Sequence, residues 1–144
     1  MTEVIAQQIA KLLNERNQLT RNYTAADVLS AADNYEYEVR DDKVVACVER
    51  KRLQWYQWEI RHLSVPEDWE GKGQASIVYQ RAEHAAIKGG ANVLQCTIRE
   101  ANKESVCFFE KRGFLKVGRF FNAANGNVVG IWQKVVSAVP SESV

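Results

Sequence analysis

Ile5, Ile9, Leu12 and Leu13 recur at helical spacing among Gln, Lys, Asn and Glu, so an amphipathic helix is expected near the start of the chain. A polar connection follows over Asn14 to Asn22. Thr24 with Asp27 three residues on has the form of a helix cap, and Ala25, Val28, Leu29 and Ala32 supply the buried stripe of a second, short helix. From Tyr35 the period falls to two, with Tyr35, Tyr37 and Val39 on one face and Glu36, Glu38 and Arg40 on the other, as in a half-buried strand. Asp41-Asp42-Lys43 forms a hairpin turn into Val44 to Val48, a β-rich run that continues through the charged stretch Glu49 to Arg52. Gln54 to Val65 is rich in Trp, Ile, Leu and Val and is closed by Pro66, which predicts one long central strand.

Beyond the turn-forming stretch Pro66 to Gly73, the spacing of Ala75, Val78, Tyr79, Ala82 and Ala86 predicts a helix that Lys88-Gly89-Gly90 stops. Asn92 to Arg99 suits an interior strand. A short helix is expected over Lys103 to Lys111, with Val106, Phe108 and Phe109 as its apolar members and Gly113 at its end. Leu115 to Phe121 and Val128 to Val136 form a last hairpin around the tip Asn122 to Asn127, and the tail Ser137 to Val144 is expected to fray. This order of elements is an α/β plan with a mixed sheet.

At 144 residues the chain is expected to form one domain, with its 46% hydrophobic and 26% charged residues in the range of globular proteins. Nineteen Lys and Arg against eighteen Asp and Glu leave a net charge of +1, too little for a global field that draws nucleic acid or an anionic membrane. Any site for a polyanion must therefore be local. Cys47, Cys96 and Cys107 are odd in number, lack short paired spacing and sit in apolar runs, so buried reduced thiols are expected. No basic-then-apolar leader and no apolar run of membrane-spanning length stands in the sequence, which makes the cytoplasm the expected location and leaves a membrane unexpected as a partner.

The strongest chemical signal is Leu63-Ser64-Val65, a turn, and then Glu70-Gly71-Lys72-Gly73-Gln74-Ala75-Ser76 opening a helix. Gly71 and Gly73 remove side chains where a ligand would approach, and the free amides of a first helical turn favour phosphate or pyrophosphate. Such a loop is often no more than a turn. Its spacing is neither the P-loop nor the dinucleotide fingerprint, which disfavours ATP and NAD.

Further along, Asn102-Lys103-Glu104-Ser105-Val106-Cys107-Phe108-Phe109-Glu110-Lys111-Arg112-Gly113-Phe114 follows the interior strand. This segment resembles the N-x-x-A-x-x-F-Y-E-K-x-G-F pattern of the GNAT superfamily of acyl-CoA-dependent N-acetyltransferases, and Val65 to Ala75 resembles the companion loop pattern of that family. The resemblance implies a mixed, mostly antiparallel sheet flanked by helices, with a V-shaped splay between two central strands where acetyl-CoA lies. It further implies that the backbone near Leu63, Ser64 and Val65 pairs with the pantetheine arm. Gly71, Lys72, Gly73, Gln74, Ala75 and Ser76 would then hold the pyrophosphate, while Asn102, Ser105, Phe108 and Lys111 flank the coenzyme. The activity implied is acetyl transfer from acetyl-CoA to a primary amine of a small molecule, peptide or protein by direct attack, with no metal. Partners are then an amine acceptor and, as a further option, a second copy of the chain.

Direct attack requires an amine that has shed its proton and often a donor for the departing thiolate. Glu59 stands six residues before Val65, where some members of the family carry the base, and its neighbours Trp58 and Ile60 are apolar. A structural salt bridge from Glu59 to Arg61, Arg99 or another cation is the competing role. His62, which strand alternation would place on the face opposite Glu59, is a second candidate base, although a lone strand histidine is more often structural.

Two positions depart from the family pattern. Phe109 replaces a tyrosine that donates a proton to the thiolate, and Glu70 replaces Arg or Gln, which places an anion beside a pyrophosphate loop unless it points away or pairs with Lys72. These departures keep open a non-catalytic acyl-CoA-binding or protein-interaction module. Trp55, Tyr56, Trp58 and Trp69 are expected in the core rather than on an acceptor wall, and Arg50-Lys51-Arg52 at a solvated strand end.

Overall fold

A computed structural model describes residues 1–17 and 21–136, so the tail from Ser137 and part of the connection after Asn14 lie outside the described residues. The elements run α1 (Glu3–Arg16), α2 (Ala25–Ser30), β1 (Tyr35–Arg40), β2 (Lys43–Gln54), β3 (Gln57–Ser64), α3 (Gln74–Lys88), β4 (Val93–Arg99), α4 (Lys103–Lys111), β5 (Leu115–Asn122) and β6 (Asn127–Val135). The strands form a six-stranded sheet in the order β1-β2-β3-β4-β6-β5, with β3 and β4 parallel and the recorded neighbours β1/β2, β4/β6 and β5/β6 antiparallel. This is the mixed sheet expected from the order of elements, in the mostly antiparallel, helix-flanked form that the family resemblance implies.

By contact density the chain divides into two compact units. The first comprises Met1–Lys51 and Ile60–Ala85. Thr2 caps α1 by accepting from the Ile5 amide, and the helix buries Ala6, Ile9, Ala10, Leu12 and Leu13. These pack with Val28, Tyr35, Val44 and Cys47 into one apolar cluster. The capping box at α2 is present, Thr24 accepting from the Asp27 amide while the Asp27 carboxylate accepts from the Thr24 amide. Of its expected stripe only Val28 is buried and Leu29 is exposed, because a helix of six residues can offer little more than one turn to the core. The turn at Asp41 and Asp42 places both residues at positive φ (51° and 64°), the left-handed form that two-residue hairpins favour and Asp tolerates. Val44 to Glu49 are then buried on both faces of β2, and Val78, Tyr79 and Ala82 form the buried stripe of α3.

The second unit comprises Arg52–Glu59 and Ala86–Val144. Here the expected single strand from Gln54 is interrupted: β2 runs on to Gln54, and Trp55 and Tyr56 form the turn into β3. The turn is fastened from its carbonyl side, the amides of Asn92 and Val93 both donating to Tyr56 O. Trp55 is therefore 71% exposed rather than in the core, and Tyr56 and Trp58 are half-buried. Ala91, Leu94, Cys96, Ile98, Phe109, Phe114, Val129 and Trp132 make the interior of this unit. β5, by contrast, leaves Leu115, Val117, Phe120 and Phe121 exposed.

Candidate functional site

In the first unit β3 ends at Ser64, and Pro66 directs the chain through a short helical turn (Glu67–Trp69) to the loop that opens α3. Gly71 and Gly73 both take positive φ (73° and 79°), and a Cβ built on either would meet nothing within 4 Å. Backbone of this form needs glycine on conformational grounds while its outer side stays open. Gly73 O accepts from the Ile77 amide, so the loop leads directly into the first turn of α3 with its outward amides. Gln74 in that turn is 8% exposed and its Oε1 has no hydrogen-bond partner among the described residues. A buried carbonyl oxygen in this state requires a donor from elsewhere. Lys72 and Glu70 do not pair with each other. Lys72 Nζ lies 5.1 Å over the Trp69 ring, and Glu70 forms an ion pair with Arg16 at the end of α1, which draws its anionic charge to a cation the sequence separates by more than fifty residues. Trp69 is half-buried by this loop rather than in the core; Ala75 and Ser76 are also half-buried, Gly71, Lys72 and Gly73 exposed.

Just before the loop, β3 carries a second unusual backbone. His62 has φ 59°, a left-handed conformation within a strand that costs a residue with a Cβ about 1–2 kcal/mol. Alternation is broken there, so Arg61 and His62 both reach one side: Arg61 Nε lies 2.7 Å and His62 Nδ1 3.2 Å from the same oxygen of Glu49. The His62 approach is bent away from good hydrogen-bond geometry, and its Nε2 lies 3.3 Å from Tyr23 Oη, the two rings meeting edge to face at 4.9 Å. The break also removes the basis for placing His62 opposite Glu59. The Glu49 side chain is 3% exposed. Burial pushes its carboxyl up, but the close imidazole of His62 and the hydrogen bond and charge of Arg61 outweigh burial and hold it below its ordinary range. Tyr35 is raised by burial and then by the Glu49 charge, and the Cys47 thiol is pushed up to about 12 by the same two causes in the same order.

Three further contacts fasten this corner to α1. Asn14 grips Tyr23 through both backbone groups, donating to its carbonyl and accepting from its amide at 2.9 Å each. Asn17 Nδ2 donates to Ser64 Oγ at 2.6 Å, and Ser64 Oγ donates to His62 O at 3.2 Å. The Cys47 thiol also donates to His62 O, at 3.8 Å. Leu63 and Val65 are half-buried and Ser64 is buried. None of Glu49, Tyr23, Asn17 and Arg16 is a site candidate from sequence. The one available signal is Glu49, a carboxylate that extends the apolar run Val44 to Val48.

In the second unit Glu59 is half-buried and stands in register with Gln95 of β4. Around it runs a row of amides: Gln57 Nε2 and Gln133 Nε2 both donate to Gln95 Oε1, at 2.9 and 2.8 Å. Burial and then the Glu59 charge raise the Cys96 thiol. On α4, Asn102 is the N-cap, its Oδ1 accepting from the Ser105 amide at 3.2 Å, and Ser105 and Phe108 follow at the spacing of one helix face. Phe108 stacks under the Arg112 guanidinium at 3.4 Å, and Lys111 is exposed. Phe109 is buried edge to face against Phe108 and Phe114, so it is a core residue. Cys107 is exposed, unlike Cys47 and Cys96, because it lies on the outer side of α4.

Among the described residues no group of three or more His, Cys, Asp or Glu is placed to hold a metal ion, and no helix is long and apolar enough to cross a membrane. Arg50 is not a solvated strand end: its side chain is 16% exposed and binds Glu36 at 2.5 Å and Asp33 O at 2.9 Å, while Lys51 and Arg52 are exposed.

Solved structures share this fold. The chain is similar to yncA of Salmonella typhimurium, solved with its cofactor acetyl-CoA, at 13% identity and a TM-score of 0.83 over 98% of this chain and 94% of that one. It is similar to Rv2747 of Mycobacterium tuberculosis, solved in complex with CoA, at 16% identity and a TM-score of 0.77 over 94% and 96% of the two chains. A ribosomal-protein-alanine N-acetyltransferase of Brucella melitensis is similar at 14% identity and a TM-score of 0.79, over 94% and 96%. No curated protein matches by sequence. The family model for acetyltransferases (GNAT) matches residues 7–114, three quarters of the chain, and with the sheet, the glycine loop and the α4 segment in place, the chain belongs to the GNAT acetyltransferase family.

Proposed function

We propose that the protein is an acetyl-CoA-dependent N-acetyltransferase that acts on a primary amine of a small molecule, peptide or protein. The observation that carries this reading is the loop into α3. Gly71 and Gly73 are held in left-handed form with open space where their side chains would be, beside a buried Gln74 oxygen that lacks a donor. A pyrophosphate with its adjoining amide arm supplies what such a loop lacks, oxygen acceptors for the amides and a donor for Gln74. Family membership, and the coenzyme present in two of the similar structures, support the same ligand.

Bound acetyl-CoA supplies an acetyl thioester that a neutral amine can displace. In this reading the chain's own groups bind and manage protons. The amides of Gly71 to Ser76 receive the pyrophosphate, the backbone of Leu63 to Val65 aligns the arm, and Asn102, Ser105, Phe108 and Lys111 flank it. Glu59 takes the amine's proton through a water molecule, and the amide row at Gln57, Gln95 and Gln133 fixes the polar setting of that carboxylate's strand neighbour. Phe109 has no proton to give, so the departing thiolate takes its proton from water.

The proposal also has the chain act as a single domain in the cytoplasm. The test is thermal and chemical together. Coenzyme A should raise the melting temperature, because a ligand of the folded state alone must stabilise it, and acetyl-CoA should release free thiol only when a suitable amine is present. Stabilisation with no acceptor-dependent thiol release across a panel of small amines, polyamines and peptide N-termini would favour a non-catalytic coenzyme-binding module. Absence of both effects would overturn the proposal.

A further inference from the structure

The left-handed backbone at His62 is an expense without a structural return in a strand, since an ordinary extended residue would continue β3 unstrained. It persists because its surroundings over-determine it. The imidazole lies between Glu49 and Tyr23, and the carbonyl accepts from both Cys47 and Ser64. The groups that grip it are themselves fixed: Glu49 by Arg61, Tyr23 by Asn14, Ser64 by Asn17. Arg21 adds a cation 4.4 Å from the centre of the Tyr23 ring.

This machinery acts on the three residues that follow. The register of β3 with β4 is formed by Gln57 to Glu59, and Leu63 to Val65 lie beyond it in the chain. An extended edge offers alternating donors and acceptors, which is how a sheet receives a peptide-like ligand. The direction in which Leu63 and Val65 present those groups is set by the φ of the residue before them.

We infer that Glu49, His62 and Tyr23, with Asn17 and Ser64, form a positioning clamp that holds β3 in the left-handed turn at His62, the form in which Leu63 to Val65 receive the amide-bearing arm of coenzyme A. The inference rests on the coenzyme reading above and adds to it the residues that shape the receiving strand. Glu49, Tyr23 and Asn17 reach β3 only through His62, Arg61 and Ser64, so their substitution acts through backbone geometry.

Calorimetric titration of the full chain with coenzyme A, beside melting temperatures without ligand, tests the clamp without knowledge of the acceptor. His62→Gly adopts positive φ freely but removes the side-chain grip, and is expected to bind coenzyme A about tenfold more weakly than wild type. Tyr23→Phe removes one hydroxyl and Glu49→Gln one charge, and each is expected to weaken binding about three- to tenfold. Tyr23→Phe conserves shape and keeps the test available if another variant does not fold. Lower melting temperatures with unchanged affinity in the folded variants would assign these residues to stability alone and overturn the clamp. Wild-type affinity in His62→Gly would show that the backbone form suffices without the side chains, which also overturns it. Absence of binding by the wild type would instead remove the coenzyme reading itself, and the clamp with it.

Discussion

Substituting Gly73 separates backbone strain from ligand charge, because the two residues that serve as probes rank in opposite order on the two scales. Gly73 has φ 79° and nothing within 4 Å of its Cβ position, so a side chain meets no clash and only the conformational cost applies. For Gly73→Ala that cost is about 1–2 kcal/mol. An unfolding entropy of about 2.1 cal/mol/K per residue gives roughly 0.3 kcal/mol/K for this chain, so the melting temperature should fall by about 3–7 °C. Gly73→Asp should fall less, since Asp tolerates the left-handed region better and can cap the first turn of α3. For coenzyme the order reverses. A carboxylate about 5 Å from a phosphate is opposed by roughly 3 kcal/mol at an effective dielectric constant near 20, and exposure to salt reduces this, so affinity should drop about ten- to hundredfold. Alanine carries no charge and should bind within a few-fold of wild type. Differential scanning fluorimetry and calorimetric titration on the two variants give both rankings. Equal coenzyme affinity for Asp and Ala would refute the placement of the pyrophosphate at this loop.

Glu59→Gln should cut the acetylation rate by roughly 10²-fold near neutral pH with coenzyme affinity unchanged, and higher pH should recover part of the loss as the amine becomes neutral unaided; a lower melting temperature with little change in rate would make Glu59 a structural group. Glu49 titrates below its ordinary 4.5 in the folded chain, so its ionised form stabilises the fold above that pH and the contribution disappears as pH falls through the folded value. The gap in melting temperature between wild type and Glu49→Gln should therefore narrow as pH drops below 4.5, and a constant gap would mean the carboxylate is not linked to stability. In the native protein a disulfide reagent should modify Cys107 rapidly and leave Cys47 and Cys96 unreacted until unfolding, and uniform reactivity of the three thiols would contradict their burial.

How far residues alone reveal this molecule depends on the range of the interactions that decide each part. α3 is legible because Val78, Tyr79, Ala82 and Ala86 repeat at one helical face between glycines, and the β5–β6 hairpin because polar and glycine residues mark its tip. The turn at Trp55 and Tyr56 is hidden, since both are strand-favouring aromatics and the contacts that fix it come from Asn92 and Val93. The glycine loop is legible as chemistry because glycine has a local conformational meaning. The setting of its neighbours is not. Glu70 is paired with Arg16 from a distant helix, and the groups around the left-handed His62 are Glu49, Tyr23 and Ser64, which no spacing connects. One residue in left-handed form leaves no trace in a hydrophobic pattern, yet it brings the neighbours Arg61 and His62 onto the same carboxylate.

The most direct test of the account is transfer itself. Acetyl-CoA carrying an isotopically labelled acetyl group, incubated with the purified protein and a panel of primary amines and peptides, should place the label on nitrogen of at least one acceptor, with one free thiol released per labelled product by mass spectrometry. Label that stays on the coenzyme or appears only as acetate, whatever amine is offered, would contradict the assignment of this chain as an N-acetyltransferase.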